Sequence, residues 1–324
     1  MRRHGKLSLK EFAKTRNMIL FNHAMGGLGD VFIQRMMFRT VKKIIPDSEI
    51  HVSLLPQYIP ALADHPKIEK IISSVEFDPS NYFISFDTSV VLANRYEDKY
   101  GFDCPYNRAD IWAKHNGFDL DEHEMDFCLD PQKIENCRKE LNVISDKCGP
   151  IVLFCPISKM KTKTLLPEQM KWVVKYCSDK KLIGINDKSI PYLKDLGIPC
   201  IYEKSIVDWM HYVAACDYMI SVDSAAFHLA GGLKKPLLGI FTFANGKTYG
   251  KYYNCVLIQK HKDNGDWDCG PCYSFKSCPK TKKEIKPCLL ELTENQFKEG
   301  IEKLFDKKSY CSKVALPLLL ETEI

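Results

Sequence analysis

The chain has 324 residues, 45% of them hydrophobic and 27% charged, with 46 Lys and Arg against 41 Asp and Glu for a net charge of +5. That content supports a sizeable buried core and predicts two domains. The mild basicity suits an anionic ligand but lacks the clustering of a dedicated nucleic-acid binder, and no stretch approaches the roughly 18 apolar residues of a membrane span.

The opening "MRRHGKLSLKEFAKTRN" is basic without an apolar core, so it does not read as a signal peptide, and Ser8 to Glu11 matches a capping box. A cytoplasmic location is the expectation. From there the pattern alternates. "NMILFNH" (17–23) predicts a strand, "DVFIQRMMFRTVKKI" (30–44) an amphipathic helix, "EIHVSLL" (49–55) a strand and "YIPALADH" a short helix. "KIEKIISS" (67–74) and "YFISFDT" (82–88) continue the series, which argues for parallel βαβ units. Residues 93–126, rich in aromatics and charges, read as an irregular inserted loop or cap.

A second series begins near Gly149. "PIVLFCPIS" (150–158) reads as a strand ending in a polar loop and "PEQMKWVVKYCSDK" (167–180) as a helix. "KLIGIND", "IPCIY", "VDWMHYVAACD", "YMISV", "AAFHLAGGL" and "PLLGIFT" follow up to residue 242. The expected organisation is α/β: a Rossmann-like domain over 1–148, a second over 149–305 and a tail over 306–324. The two domains are expected to face one another across a cleft.

Two loops carry candidate chemistry. In "NHAMGGLGDVF", Gly26, Gly27 and Gly29 allow close backbone approach, and Asp30 stands at the predicted helix start. There it is either a cap for free N–H groups or a functional carboxylate. The loop has neither a dinucleotide fingerprint nor a P-loop ending. In "YMISVDSAAFHLAGGL", Ser224 and Ala225 leave helix N-terminal amides open to a phosphate, Asp223 can accept bonds from sugar hydroxyls, and His228 follows one turn later.

As a pair, these segments resemble the ADP-heptose:lipopolysaccharide heptosyltransferase family (glycosyltransferase family nine). "GGLGDVFIQRMMFRTVKKIIPDSEIHV" resembles its Leu-Gly-Asp loop, helix and following strand, and "ISVDSAAFHLAGGLKKPLLGIF" its Asp-Thr/Ser-Gly/Ala … His-Leu-Ala segment. The similarity runs loosely from about residue 17 to 305 and includes a Leu-Thr-Glu helix start at 292–294. It implies a GT-B fold, a nucleotide-sugar donor (an ADP-sugar) held by the second domain and an acceptor held by the first. Asp30 falls on the proposed general base of inverting transfer, a role that requires a carboxylate facing the attacking hydroxyl; the glycines then admit that hydroxyl. The family's lysine, three residues before a Trp-Pro, falls here on Thr164, with Leu166-Pro167 replacing Trp-Pro. Lys163, one place off, is the expected diphosphate partner, with Lys161 and Lys159 nearby, so no catalytic metal is expected.

Four of the fourteen cysteines crowd together as Cys269-x2-Cys272-x5-Cys278-x9-Cys288. This spacing suits a closed tetrahedral zinc or mononuclear iron site of structural type, with two disulfides or free thiols as the alternatives. Relatives that modify autotransporters carry a similar iron-binding finger, and that resemblance raises the iron option beside zinc. On the acceptor side, Arg95, Arg108, Asp110 and His115 lie among aromatics suited to stacking on a sugar or base. Glycan, protein and modified nucleic-acid base all stand as acceptors, and an oligomer is possible. The competing readings are a sugar-nucleotide epimerase or hydrolase, and a nucleic-acid-binding module built on the cysteine finger.

Overall fold

The computed structural model describes residues 17–306 apart from Ala24, 75–77, 79–80, 186–190, 203–204, 261–271, 273–277, 279–280 and 283–285. The expected capping box at Ser8 lies outside the described residues, as does the tail beyond 306.

Apolar runs form two wholly parallel sheets. The first contains β1 (Met18–Asn22), β2 (Glu49–Leu54), β3 (Lys70–Ser73) and β4 (Ile84–Asp87), in the order β3-β2-β1-β4. Helix α1 (Leu28–Ile44) follows β1, and a 3-10 turn (Pro56–Ala61) follows β2. Beyond β4 come α2 (Val90–Tyr100), α3 (Arg108–His115) and α4 (Pro131–Ile144). The stretch 93–126, expected to be irregular, is therefore helical over 93–103 and 108–115 and irregular from 116 onward. Its regularity is masked in sequence because Glu97, Arg108 and Asp110, which read as surface residues, are buried.

The second sheet holds β5 (Ile151–Cys155), β6 (Lys181–Ile185), β7 (Cys200–Ile201), β8 (Tyr218–Val222), β9 (Leu237–Ile240) and β10 (Cys255–Ile258), in the order β10-β9-β8-β5-β6-β7. Its helices are α5 (Pro167–Tyr176), α6 (Pro191–Asp195), α7 (Ile206–Ala215), α8 (Ala225–Gly232), α9 (Gly246–Tyr249), α10 (Pro287–Leu290) and α11 (Glu294–Asp306). Central strands such as IVLFC in β5 are buried along their whole length, as expected of a parallel sheet covered on both faces. Among the described residues no helix is long and apolar enough to cross a membrane.

Each sheet reverses its direction of winding once, between β1 and β4 in the first and between β5 and β8 in the second. Ligands of open α/β sheets bind beyond the strand ends at such reversals. Helices α1 and α8, which leave β1 and β8, pack against each other and bring the two reversals face to face.

A seam holds the two sheets beside this contact. Asn107 Nδ2 donates to the carbonyls of Thr248 and Tyr249, both at 3.2 Å, and Asn245 Nδ2 donates to Phe102 O at 3.0 Å. Thr248 Oγ1 donates to Cys104 O at 3.1 Å and Lys251 Nζ to Pro105 O at 2.7 Å.

Burial leaves several histidines neutral. His228 is pushed down to about 4 and His65 to about 2, both by loss of solvation first. Below the ordinary value of 6.5, unfolded imidazoles take up protons that the folded chain refuses, so stability falls as pH drops from 6.5 towards 4. The thermal midpoint is expected to fall by roughly 5 °C or more between pH 6.5 and 4.5. His65→Leu, beside Phe38 and remote from the cleft, should flatten that slope; an unchanged slope would assign the acid sensitivity to other groups.

Candidate active site

The chain from β1 to α1 places Asp30 three residues past the cap position. Gly27 is the N-cap, and Asp30, third in the helix, accepts the Gly27 N–H through Oδ2 at 2.8 Å. The expectation that α1 begins at Asp30 is corrected by two residues. The cap function persists from a different position, and the other carboxylate oxygen is left for another partner.

That partner is Arg108. Its Nη1 lies 2.5 Å from Asp30 Oδ1, while Nε and Nη2 grip Glu97 at 2.8 and 2.9 Å and Nη2 also donates to Asn94 Oδ1 at 2.7 Å. Glu97 is fully buried, and the Tyr249 hydroxyl, from the second sheet's side, donates to it at 3.4 Å. Burial pushes the Asp30 carboxyl up, but Arg108, His23 and the Gly27 amide together hold it below the usual carboxylate range. Burial alone would lower Arg108; Glu97, Tyr249 and Asp30 raise it well above its ordinary value. Asp30 is thus a carboxylate at neutral pH, fixed in direction by two donors.

The glycines serve packing more than access. A Cβ on Gly26 would lie 2.4 Å from His23 Nε2, and one on Gly29 would lie 2.8 Å from His228 Cδ2. Gly29 therefore lets α8 seat His228 against α1. Of the three, Gly27 alone has room for a Cβ, which would meet Asp30 Oδ2 in ordinary contact at 3.7 Å.

Across the cleft, Lys163 Nζ pairs with Asp223 Oδ2 at 2.6 Å. Lys163 ends a 3-10 turn in the loop after β5, and Asp223 follows β8, so the pair straddles the second reversal. Ser224 caps α8, its hydroxyl accepting the Ala226 N–H at 3.3 Å. His228 Nδ1 lies 3.1 Å from the Tyr253 hydroxyl. Thr164, the position the family lysine would occupy, turns its hydroxyl back on its own loop, donating to Ser158 O and accepting the Ser158 N–H. Lys163, rather than Thr164, reaches the cleft.

These groups line one cavity of about 740 Å³: Gly26 to Asp30, Arg108, Lys159, Lys163, Asp223 to Ala226 and His228, with Tyr58, Trp209, Met160 and Phe243 as apolar walls. Lys161 is exposed and does not line it. The acceptor candidates scatter. Arg108 lies inside, bound to Asp30. Arg95 is exposed on α2, and His115 lines a separate cavity along β4. Asp110 is structural: its carboxylate accepts from His123 Nε2 and the Tyr252 hydroxyl, both at 2.7 Å, and from Asn107 N.

Sequence reasoning missed Glu97 and His23. His23 is buried just past β1 with Nδ1 2.8 Å from Thr88 O, and its Nε2 has no hydrogen-bond partner among the described residues. Its place at the end of a central strand was the available signal. Nothing in the sequence marks Glu97 out from its charged neighbours.

Of the cysteine finger, Cys269 lies outside the described residues. Cys278 and Cys288 are buried and Cys272 is half-buried. Among the described residues no group of three or more metal-ligating side chains converges.

No family profile matches the chain, and no curated protein matches it in sequence. Solved structures do match in shape. The chain superposes on a glycosyl transferase family 9 protein of Veillonella parvula with a TM-score of 0.65 at 14% identity, over 90% of this chain and 97% of that one. It superposes on E. coli ADP-heptose LPS heptosyltransferase II with a TM-score of 0.63 at 14% identity, over 89% and 98% of the two chains. The fold is GT-B. A third GT-B match is the iron-containing dodecameric glycosyltransferase TibC of enterotoxigenic E. coli, with a TM-score of 0.63 at 13% identity, over 88% of this chain and 75% of that one. In GT-B terms, Asp30 follows the first strand of one sheet and the Lys163–Asp223 pair flanks the central strands of the other.

Proposed function

We propose that this chain is an inverting glycosyltransferase, moving a sugar from a nucleoside-diphosphate donor to an acceptor hydroxyl. One observation carries the reading: the Asp30 carboxylate and the Lys163–Asp223 pair line one cleft, each at the winding reversal of its own sheet. Asp30 is the base that takes the proton from the acceptor. Lys163 and the Ala225 N–H at the start of α8 take the charge developing on the leaving diphosphate, the arrangement expected for anion binding at a helix N-terminus. Asp223 holds Lys163 until the donor arrives. Residues 1–148 form the acceptor domain and 149–305 the donor domain. Arg108 acts through Asp30 rather than gripping the acceptor.

The solved complexes of a GT-B heptosyltransferase, E. coli WaaC with ADP and with ADP-2-deoxy-2-fluoro heptose, favour an ADP-sugar donor here. A thermal-shift screen of nucleotide sugars tests this. A ligand at a hundred times its Kd stabilises the folded state by about 2.7 kcal/mol, so the strongest-shifting compound names base and sugar. Turnover of that compound without any acceptor would replace transfer by a hydrolase or epimerase activity.

Cys269, Cys272, Cys278 and Cys288 are proposed to hold one structural zinc or iron, which the iron-containing TibC favours as iron. Elemental analysis of anaerobically purified protein is expected to give about one metal per chain. Transfer is expected to survive EDTA on the assay timescale, because lysine and backbone amides carry the phosphate charge. Loss of activity restored by Mg²⁺ would contradict that assignment.

A further inference from the structure

Phe243 lines the donor side of the cleft, and Cys272 and Lys286 hold it from behind. The Cys272 N–H donates to Phe243 O at 3.0 Å. Lys286 Nζ lies 3.7 Å from the Phe243 ring centroid, and the same ammonium donates to Cys272 Sγ at 3.6 Å. Lys286 is 1% exposed. Lys163 Nζ lies 5.3 Å from the centroid of that ring. One aromatic ring thus links the cation of the cleft to a buried cation of the cysteine segment.

An ammonium withdrawn from water is stabilised by anionic neighbours and by aromatic faces. The Lys286 ammonium meets the Phe243 ring face and Cys272 Sγ, and so braces from behind the ring that borders Lys163. We propose that Lys286 is a positioning residue for the donor site, setting nucleotide affinity through Phe243. This rests on reading the cleft as a nucleoside-diphosphate site.

The test titrates ADP, GDP, UDP and CDP calorimetrically into the full chain. With the tightest binder, Lys286→Met is expected to weaken affinity by about tenfold, raising the donor KM while leaving kcat at saturating donor unchanged. Lys286→Arg, which keeps the cation, should restore most of the affinity. Unchanged affinity in a folded Lys286→Met protein would overturn the inference and leave the donor site standing. A wild-type chain that binds none of the four nucleotides would overturn both. If Lys286→Met does not fold, Phe243→Leu, which removes the ring that Lys286 braces, is titrated in its place and should weaken affinity by a similar factor. Unchanged affinity in a folded Phe243→Leu protein would overturn the proposal.

Discussion

Asp30→Asn is expected to lower sugar transfer by about a hundredfold or more, with the fold retained and nucleotide affinity nearly unchanged. The amide cannot take a proton from the acceptor. It also cannot satisfy both neighbours: one oxygen can accept from Gly27 N or from Arg108, and the amide nitrogen then faces the other donor. A modest fall in melting temperature should accompany the loss. The protein should still fold, because Arg108 stays compensated by its paired bonds to the buried Glu97. The same geometry explains why a carboxylate held below its ordinary range can serve as base. Asp30, Arg108 and Glu97 together carry one net negative charge before proton abstraction and none after it. The cluster is therefore not left with an unmatched cation at any stage. Circular dichroism and initial rates at saturating donor decide the matter; near-normal turnover in a folded variant would return Asp30 to a helix-capping role.

Lys163→Met is the second large effect. Nucleotide affinity should fall roughly thirtyfold or more, as for truncation of one member of a buried charge pair. Stability should fall as well, by about 3 kcal/mol, because Asp223 is left in a buried site without its cation. The double variant Lys163→Met/Asp223→Asn separates the two. Removing both charges should recover most of the stability and none of the affinity. Lys161→Met, altering an exposed side chain outside the cleft, should leave both quantities near wild type. Weakened binding in Lys161→Met with normal binding in Lys163→Met would show that the neighbouring lysine does the work.

The parallel sheets were legible because buried strands are continuous apolar runs: MILFN, IVLFC and YMISV each appear as strands within one or two residues of expectation. Helix α4 was not, since Leu141 is its only fully buried residue and leaves little periodicity. Helices α2 and α3 were hidden for the opposite reason. Their charged residues point inward as ion pairs, whereas in a sequence charge reads as surface. Within the cleft, Asp30, Lys163, Asp223 and His228 could be singled out in the sequence because each lies in a loop leaving a strand or in the first turn of the helix that follows. Their partners were not: Glu97 meets Arg108, and Gly29 meets His228, only when segments far apart in the chain are packed together.

The seam between the sheets bears on the order in which the molecule assembles. Its bonds to Asn107, Phe102 and Cys104 join residues 141 to 144 positions apart. Neighbouring strands within a sheet are joined over far shorter separations. Closing a loop of such length costs about 1.4 kcal/mol more than closing one of roughly 30 residues, before any contact repays it. Each sheet can therefore nucleate on its own short crossovers, while the seam waits for both. On the proposed reading, nucleotide binding needs only the loops after β5 and β8 and should return early in refolding. Facing Asp30 towards the Lys163–Asp223 pair needs both sheets docked, so transfer should be the last property the chain recovers.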